Sequence, residues 1–346
     1  MPAVLAEAPA RVGVPARARV LGLLIIAVAL IVAVALSLAL GAREIGIGEV
    51  RNALFTPVPG NADHLVVREL RVPRTVIGVV VGLALALAGT IMQGITRNPL
   101  ADPGLLGVNA GASLFVVLAI SLLGITNLAG FVWFAFAGAA AAAGIVYGIG
   151  AIGRQGATGV GLVLAGVALT AVVTSIVTLM LITQSETLGA YRFWSVGSLA
   201  GRDLDAVFAL SPFLLLGTIL AFANGRMLNL VALGDDLATG LGQNVAVGRA
   251  ISAAAVVLLC GSATALAGPI VFVGLVVPHL VRPFTGGDYR WILAYAAIVG
   301  PTLLLASDII GRLIVRPGEL EAGIVVAVIG APVMIALVRR VKLAGL

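Results

Sequence analysis

The chain consists of long apolar runs separated by short segments that hold nearly all of its polar and charged residues. A bilayer core about 30 Å thick is crossed by roughly 20 apolar residues of helix. The pattern therefore predicts an all-α polytopic membrane protein with ten transmembrane helices. Because ten is even, both termini are expected on the same side. The predicted spans are 20–40, 75–96, 105–124, 128–150, 159–182, 206–223, 249–268, 269–283, 291–311 and 322–338.

The composition agrees with this pattern. Hydrophobic residues make up 61% of the 346 residues and charged residues 10%, and the mean hydropathy is +1.17. A water-soluble fold of this length could not bury so much apolar surface. We expect residues 1–19 to form a cytoplasmic tail, residues 20–340 a single transmembrane domain, and residues 341–346 a C-terminal tail. A cleaved signal peptide is the alternative for the first span, but its apolar region would be only about 7–15 residues long.

The charges indicate the orientation. Cytoplasmic termini place 12 cations and 5 acids inside, against 9 cations and 9 acids outside, which agrees with the positive-inside rule. The net charge of +6 is therefore attributed to orientation, and no nucleic-acid partner is expected. Three outer arginines, Arg68, Arg71 and Arg74, crowd into the stretch "RELRVPRT". Since the rule disfavours cations on that side, we expect this cluster to have a use.

Polar groups within the predicted spans are few. Thr170, Thr174 and Thr178 recur every four residues and share one face of the fifth span. They either bond carbonyls and neighbouring helices or line a translocation path. Asp308 is the only acid within a span, and Arg312 follows it one turn later, so we expect an ion pair within the helix.

Two stretches depart from simple helical hairpins. The eighth span, "GPIVFVGLVVPHLVRP", is short and bounded by prolines, and the link "RNPLADPGLLGVNAG" is rich in Pro, Gly and Asn. Broken or short helices in transporters occur where the backbone lines a path. These features favour a transporter or a channel.

The chain lacks the residues for several enzymatic chemistries. Its only lysine, Lys342, precedes a leucine, so no P-loop can form, and no Gly-x-Ser-x-Gly or His-Glu-x-x-His motif is present. Cys260 is the sole cysteine and offers neither a disulfide nor a metal site. We therefore expect neither enzyme activity nor a cofactor in this chain. A secondary transporter driven by an ion gradient stays open as an alternative.

One polar inner segment, about residues 227–248, separates spans six and seven. Glycines 234, 240 and 242 break it into short pieces. It is either a solvated loop or a docking surface for a cytoplasmic partner.

Six motifs follow one another along the chain. They are "LRVPRT", "RNPLADPGLLGVNAGA", "ALGDDLATGLG", "GPIVFVGLVVPHLVR", "ASDIIGR" and "GELEAGIVVAVIGAP". In sequence, order and spacing they resemble the permease subunits of the FecCD family. The resemblance runs from about residue 20 to residue 340 and implies an ABC importer for iron-siderophores, haem or cobalamin in the bacterial inner membrane. It also implies a ten-helix subunit that pairs with a second copy or a sister permease, cytoplasmic ATPase subunits that hold ATP and Mg, and an extracytoplasmic substrate-binding protein.

The same resemblance assigns residues to functions. It implies that Arg71, Arg74 and Arg312 receive acidic residues of the binding protein, and that span five lines the path. Glu321 departs from the family pattern, where a proline is usual, so the outer loop there is expected to differ. The residues implied to couple the permease to the ATPase are Gly234, Asp236, Ala238, Leu241 and Gly242.

Overall fold

A computed structural model describes residues 15–125, 127–151, 159–316 and 318–343. The described residues form helices and connecting segments, with no β-strand among them. A π-helical turn, Val66–Arg71, leads into the fourth α-helix, and a 3₁₀ turn, Pro103–Leu106, precedes the fifth. The α-helices are α1 (Ala16–Ala39), α2 (Ile47–Phe55), α3 (Ala62–Leu65), α4 (Val72–Thr96), α5 (Val108–Leu123), α6 (Leu128–Ala151), α7 (Gly159–Thr183), α8 (Ser185–Ser195), α9 (Leu204–Ala223), α10 (Gly225–Val231), α11 (Asp235–Gly240), α12 (Val245–Ala267), α13 (Val273–Thr285), α14 (Tyr289–Ile314) and α15 (Ala322–Leu343).

The predicted all-α membrane architecture is confirmed, and each of the ten predicted spans overlaps one helix. Seven helical stretches among the described residues are long and apolar enough to cross a bilayer. Two further apolar helices, Val108–Leu123 and Ala322–Ala336, are shorter. The helix at the predicted eighth span, α13, has only 13 residues and is about 20 Å long. Length and composition therefore support seven spans directly, and the count of ten stays a prediction.

The helix α13 is short because an extended segment precedes it. Gly268 has a φ of 78° and Phe272 a φ of 70°, and Pro269 between them has no backbone N–H, so the residues after α12 cannot continue a helix. A neighbouring segment supplies a partner for one of the backbone groups that the end of α12 leaves without one: Ser198 N–H donates to the Ala267 carbonyl at 2.8 Å. The predicted irregular backbone at this position is therefore present, and it is partly buried within the protein, as non-helical backbone at membrane depth requires.

Small residues let the central helices approach closely. The helix α4 packs against α12, α13 and α14, and Gly82 of α4 faces Gly300 and Pro301 of α14. A Cβ atom on Gly82 would lie 2.6 Å from the Pro301 Cα. Gly89 of α4 and Gly274 of α13 are in similar backbone contact. Close glycine contacts of this kind are the usual packing of helices in lipid.

Charged residues meet at both ends of the helical bundle. At the outer end, as assigned by charge, α1 and α14 end where α4 begins, and Arg74 lies 2.8 Å from Asp308. At the inner end, Arg97 at the end of α4 lies 3.8 Å from Asp235. Thus α1 and α14 run in one direction and α4 in the other, as the predicted alternation of spans requires.

Candidate functional site

The outer arginine cluster, which comprises Arg71, Arg74 and Arg312, is built on three chain segments. Arg71 is the last residue of the π-helical turn, and this turn points its guanidinium at the end of α1. There it donates hydrogen bonds to the carbonyls of Leu38 (2.8 Å), Ala39 (2.7 Å) and Arg43 (2.5 Å). A helix leaves its last carbonyls without backbone partners, so Arg71 serves as a cap for α1.

Arg74 and Arg312 share the carboxylate of Asp308. Arg74 donates to Asp308 through Nε (3.0 Å) and Nη2 (2.8 Å), and its Nη1 reaches Glu319 Oε2 at 2.5 Å. Arg312 Nη2 lies 3.0 Å from the other Asp308 oxygen, so the predicted ion pair within α14 is present. The stronger, bidentate partner of Asp308 is Arg74, which is 234 residues away in sequence.

Arg312 also joins α14 to α1. Its Nη1 donates to the carbonyls of Ser37 (3.0 Å) and Leu40 (2.9 Å), and Nη2 donates to the Ser37 hydroxyl at 2.9 Å. The Ser37 hydroxyl lies 2.7 Å from that of Thr75 in α4. One network of charges and hydroxyls therefore ties together the outer ends of α1, α4 and α14.

The three arginines of the outer cluster are buried rather than exposed. Arg71, Arg74 and Arg312 are only 5%, 8% and 2% exposed, because the carbonyls of α1 and the buried carboxylate of Asp308 need their donors. The three side chains do line a cavity of about 320 Å³ together with Glu319. Docking of a binding protein at this cluster stays a prediction. The exposed outer cations among the described residues are Arg43, Arg51, Arg68, Arg192 and Arg316.

The inner segment predicted for ATPase coupling contains two short helices, α10 and α11. Gly234 and Gly242 border α11 with φ values of 114° and 83°, which L side chains rarely adopt. Asp235 anchors α11 through a 2.9 Å ion pair with Arg249 of α12. Ala238 is fully buried and therefore packs α11 against the bundle, whereas Asp236 is exposed.

Sequence reasoning named Leu241 in this segment but missed two other exposed leucines, Leu233 and Leu237. Leu233, Leu237 and Leu241 are spaced four residues apart and are 60%, 60% and 63% exposed. Leu237 lies within α11, and Leu233 and Leu241 flank the helix; we call these three residues the leucine stripe. The spacing in a polar stretch was a readable signal. Exposed apolar residues grouped in this way commonly mark an interaction surface.

The threonine face of α7 looks outward from the subunit. Thr174 and Thr178 are exposed and Thr170 is half-buried. Among the described residues no hydrogen bond involves any of the three hydroxyls. Apolar neighbours such as Leu179 and Ile182 are also exposed, at 64% and 78%. The face is therefore free to line a path or to meet another chain.

Comparison with known proteins identifies the family. The FecCD transport family matches residues 29–340, most of the chain. The chain belongs to this family. The predicted resemblance is thereby confirmed over almost the range that the motifs indicated.

Several named proteins are similar to this FecCD-family chain. It is 46% identical over 304 residues to the ferric enterobactin permease protein FepD of Escherichia coli K12, covering 88% of this chain and 90% of that protein. It is 41% identical over 286 residues to YfiZ of Bacillus subtilis 168, a siderophore transport system permease by its name, with coverages of 83% and 86%. The hemin permease HmuU of Yersinia pestis is 37% identical over 309 residues, with coverages of 88% and 92%.

A solved structure has the same fold. An inward-facing conformation of a metal-chelate type ABC transporter superposes with a TM-score of 0.79 at 26% identity, covering 93% of this chain and 99% of that one. The FecCD-family chain is therefore a multi-pass membrane protein with a transporter fold, as predicted.

Proposed function

We propose that this chain is the permease subunit of an ABC importer that carries an iron-siderophore inward across the bacterial inner membrane. The similarity to FepD and YfiZ over most of both chains supports this cargo class. Haem and cobalamin are the alternative cargoes, and HmuU supports haem. The observation that carries the proposal is membership of the FecCD family together with an exposed leucine stripe at the inner end. A permease of this kind needs a separate subunit that supplies the energy of ATP, and the stripe offers a surface on which that subunit can dock.

The partners follow from the same proposal. A cytoplasmic ATPase subunit holds ATP and Mg and docks on the leucine stripe and Asp236, with Gly234 and Gly242 shaping the surface and Ala238 packing behind it. A second permease copy or a sister permease covers the exposed face of α7. A binding protein docks on the outer arginine cluster and delivers the cargo. The chain itself holds no catalytic residues in this scheme.

Co-purification tests the assignment to the ABC class. When the chain is co-expressed with the product of its neighbouring ATPase gene, the two are expected to purify together, and the pair to hydrolyse ATP faster when binding protein and cargo are added. A permease that transports alone and never retains the ATPase would instead support the alternative, a secondary transporter driven by an ion gradient.

Docking at the outer arginine cluster can be tested through Glu319. In this proposal an acidic residue of the binding protein enters the cavity and takes the place of Glu319 beside Arg74. Replacing Glu319 with Gln removes the competing carboxylate, so affinity for the binding protein should rise about twofold to fivefold at low salt, the range of a partly exposed ion pair.

Glu44→Gln is the matched control. Glu44 is an outer carboxylate that pairs with the exposed Arg316 at 3.0 Å and does not line the cavity. Both variants lose one negative charge from the outer end, so general attraction changes equally. Equal affinities for the two variants, measured by surface-immobilised binding at low salt, would rule out a role for the cavity arginines in docking.

A substitution on the threonine face of α7 is expected to impair transport. Thr174→Leu places a bulky apolar side chain where the path is proposed, so uptake should fall severalfold while the amount of protein in the membrane is unchanged. The control is Ser175→Leu on the adjacent face, because Ser175 is also exposed and bonds only the Ala171 carbonyl of its own helix. Loss of Thr174→Leu protein from the membrane would instead favour a helix-packing role.

A further inference from the structure

Arg202, just before α9, is a buried cation without a partner. It is 8% exposed, and its Nε–H is buried with no acceptor. Among the described residues no hydrogen bond or ion pair reaches its guanidinium. Burial lowers its pKa to about 10, while the more distant charge of Glu321 opposes that shift, so the group is still charged at neutral pH. A buried, unpaired charge is costly, which points to a missing ligand.

The guanidinium borders a cavity of about 240 Å³ at the outer end. At roughly 30 Å³ per water molecule this volume holds about eight waters, which is of the order of a small headgroup. The cavity lies at the start of α9, where Asp203 and Asp205 line it, and Asp203 at the N-cap makes no side-chain cap. Uncapped N–H groups and a cation together favour an anion with several oxygens, such as a phosphate.

The same cavity also carries negative charge. Asp203 and Asp205 line it with Arg202, and both carboxylates are exposed toward solvent. Neither has an ion-pair partner among the described residues. The two carboxylates at the rim would repel a simple anion. A group that carries both a phosphate and an ammonium instead matches the buried cation and the two carboxylates together.

The remaining walls of the cavity are apolar. Val132, Ala206, Ala209 and Leu266 are apolar, and Trp133 at the rim is 50% exposed. Tryptophans of this kind are enriched at the level of lipid headgroups. Below the cavity the exposed face of α9 continues with large apolar side chains, namely Phe208, Leu215, Ile219 and Phe222.

We propose that this cavity binds the headgroup of an aminophospholipid of the phosphatidylethanolamine type, with its phosphate on Arg202 and its ammonium at Asp203 and Asp205. The acyl chains then lie along the exposed face of α9. This site is separate from the outer arginine cluster and from the leucine stripe, and it does not depend on the transported cargo.

Lipid retention tests the site. The full chain is purified and offered phosphatidylethanolamine, phosphatidylglycerol or phosphatidylcholine in mixed micelles, and the bound lipid is counted by native mass spectrometry. The wild-type protein should retain the ethanolamine lipid best, since glycerol has no ammonium and choline has no N–H to donate. Equal retention of all three lipids overturns the proposal without any variant.

Variants then assign the two contacts. Arg202→Gln should reduce retention of phosphatidylethanolamine about tenfold or more, as expected for loss of charge-assisted hydrogen bonds, whereas Arg51→Gln, an exposed outer arginine away from the cavity, should not. Asp203→Asn with Asp205→Asn should abolish the preference for ethanolamine over glycerol. Unchanged retention by Arg202→Gln contradicts the site, and displacement of the lipid by inorganic phosphate alone shows a free-anion site instead.

Discussion

Asp308→Asn is expected to destabilise the subunit more than any other single change at the outer end. The carboxylate of Asp308 is fully buried and neutralises Arg74 and Arg312. Removing one partner from a buried pair typically costs about 3–5 kcal/mol because the remaining charge is left uncompensated. The unfolding temperature of the purified subunit should therefore fall by the order of 10 °C.

The control for this prediction is Glu186→Gln. Glu186 is exposed at the same end, so its loss should shift the unfolding temperature by no more than a degree or two. Adding Arg74→Met and Arg312→Met to Asp308→Asn should recover part of the loss, because no buried charge is then left unpaired. If Asp308→Asn and Glu186→Gln unfold at the same temperature, the network does not hold α1, α4 and α14 together.

The second large effect is expected at the leucine stripe. Leu237→Asp should abolish ATP-driven uptake while the protein still inserts and folds, because Leu237 makes no core contact and is 60% exposed. Burying one leucine against a partner contributes about 1.5–3 kcal/mol, so affinity for the ATPase should drop roughly 10-fold to 150-fold. Gly242→Arg should act in the same way, since it adds bulk at a position with a φ of 83°.

Thr239→Asp is the matched control for the stripe. Thr239 lies two residues from Leu237 on the same helix, is exposed, and points to the opposite side. Thr239→Asp introduces the same negative charge as Leu237→Asp but leaves all three leucines in place. Pull-down of the ATPase and cargo uptake are measured for both variants. Equal ATPase retention by Leu237→Asp and Thr239→Asp would contradict docking at the leucine stripe.

The positions of the helices were predictable from the sequence because lipid imposes a simple rule on their length and polarity. The rule fails where the backbone is not helical. The sequence predicted a span from residue 269, but the conformations of Gly268 and Phe272 delay α13 until Val273. Short apolar helices such as α13 cannot be counted as spans from composition alone.

The outer arginine cluster shows which contacts a sequence can reveal. The pair Asp308–Arg312 was predictable because residues one turn apart in a helix are neighbours. The bond from Arg74 to Asp308 was not, since only the packing of α4 on α14 brings them together. The burial of Arg71 and the unpaired charge of Arg202 were also missed, because both depend on the packing of distant segments. The spacing of the leucine stripe, by contrast, could have been read from the sequence and was overlooked.

We propose that ATP hydrolysis by a partner subunit, not an ion gradient, drives transport through this permease. The direct measurement is uptake of a radiolabelled ferric siderophore into proteoliposomes that contain the permease, its ATPase and external binding protein. Uptake should require ATP inside the vesicles and should be unaffected by ionophores that collapse proton and sodium gradients. Uptake that proceeds without the ATPase and stops when the ionophores are added would show instead that an ion gradient drives transport.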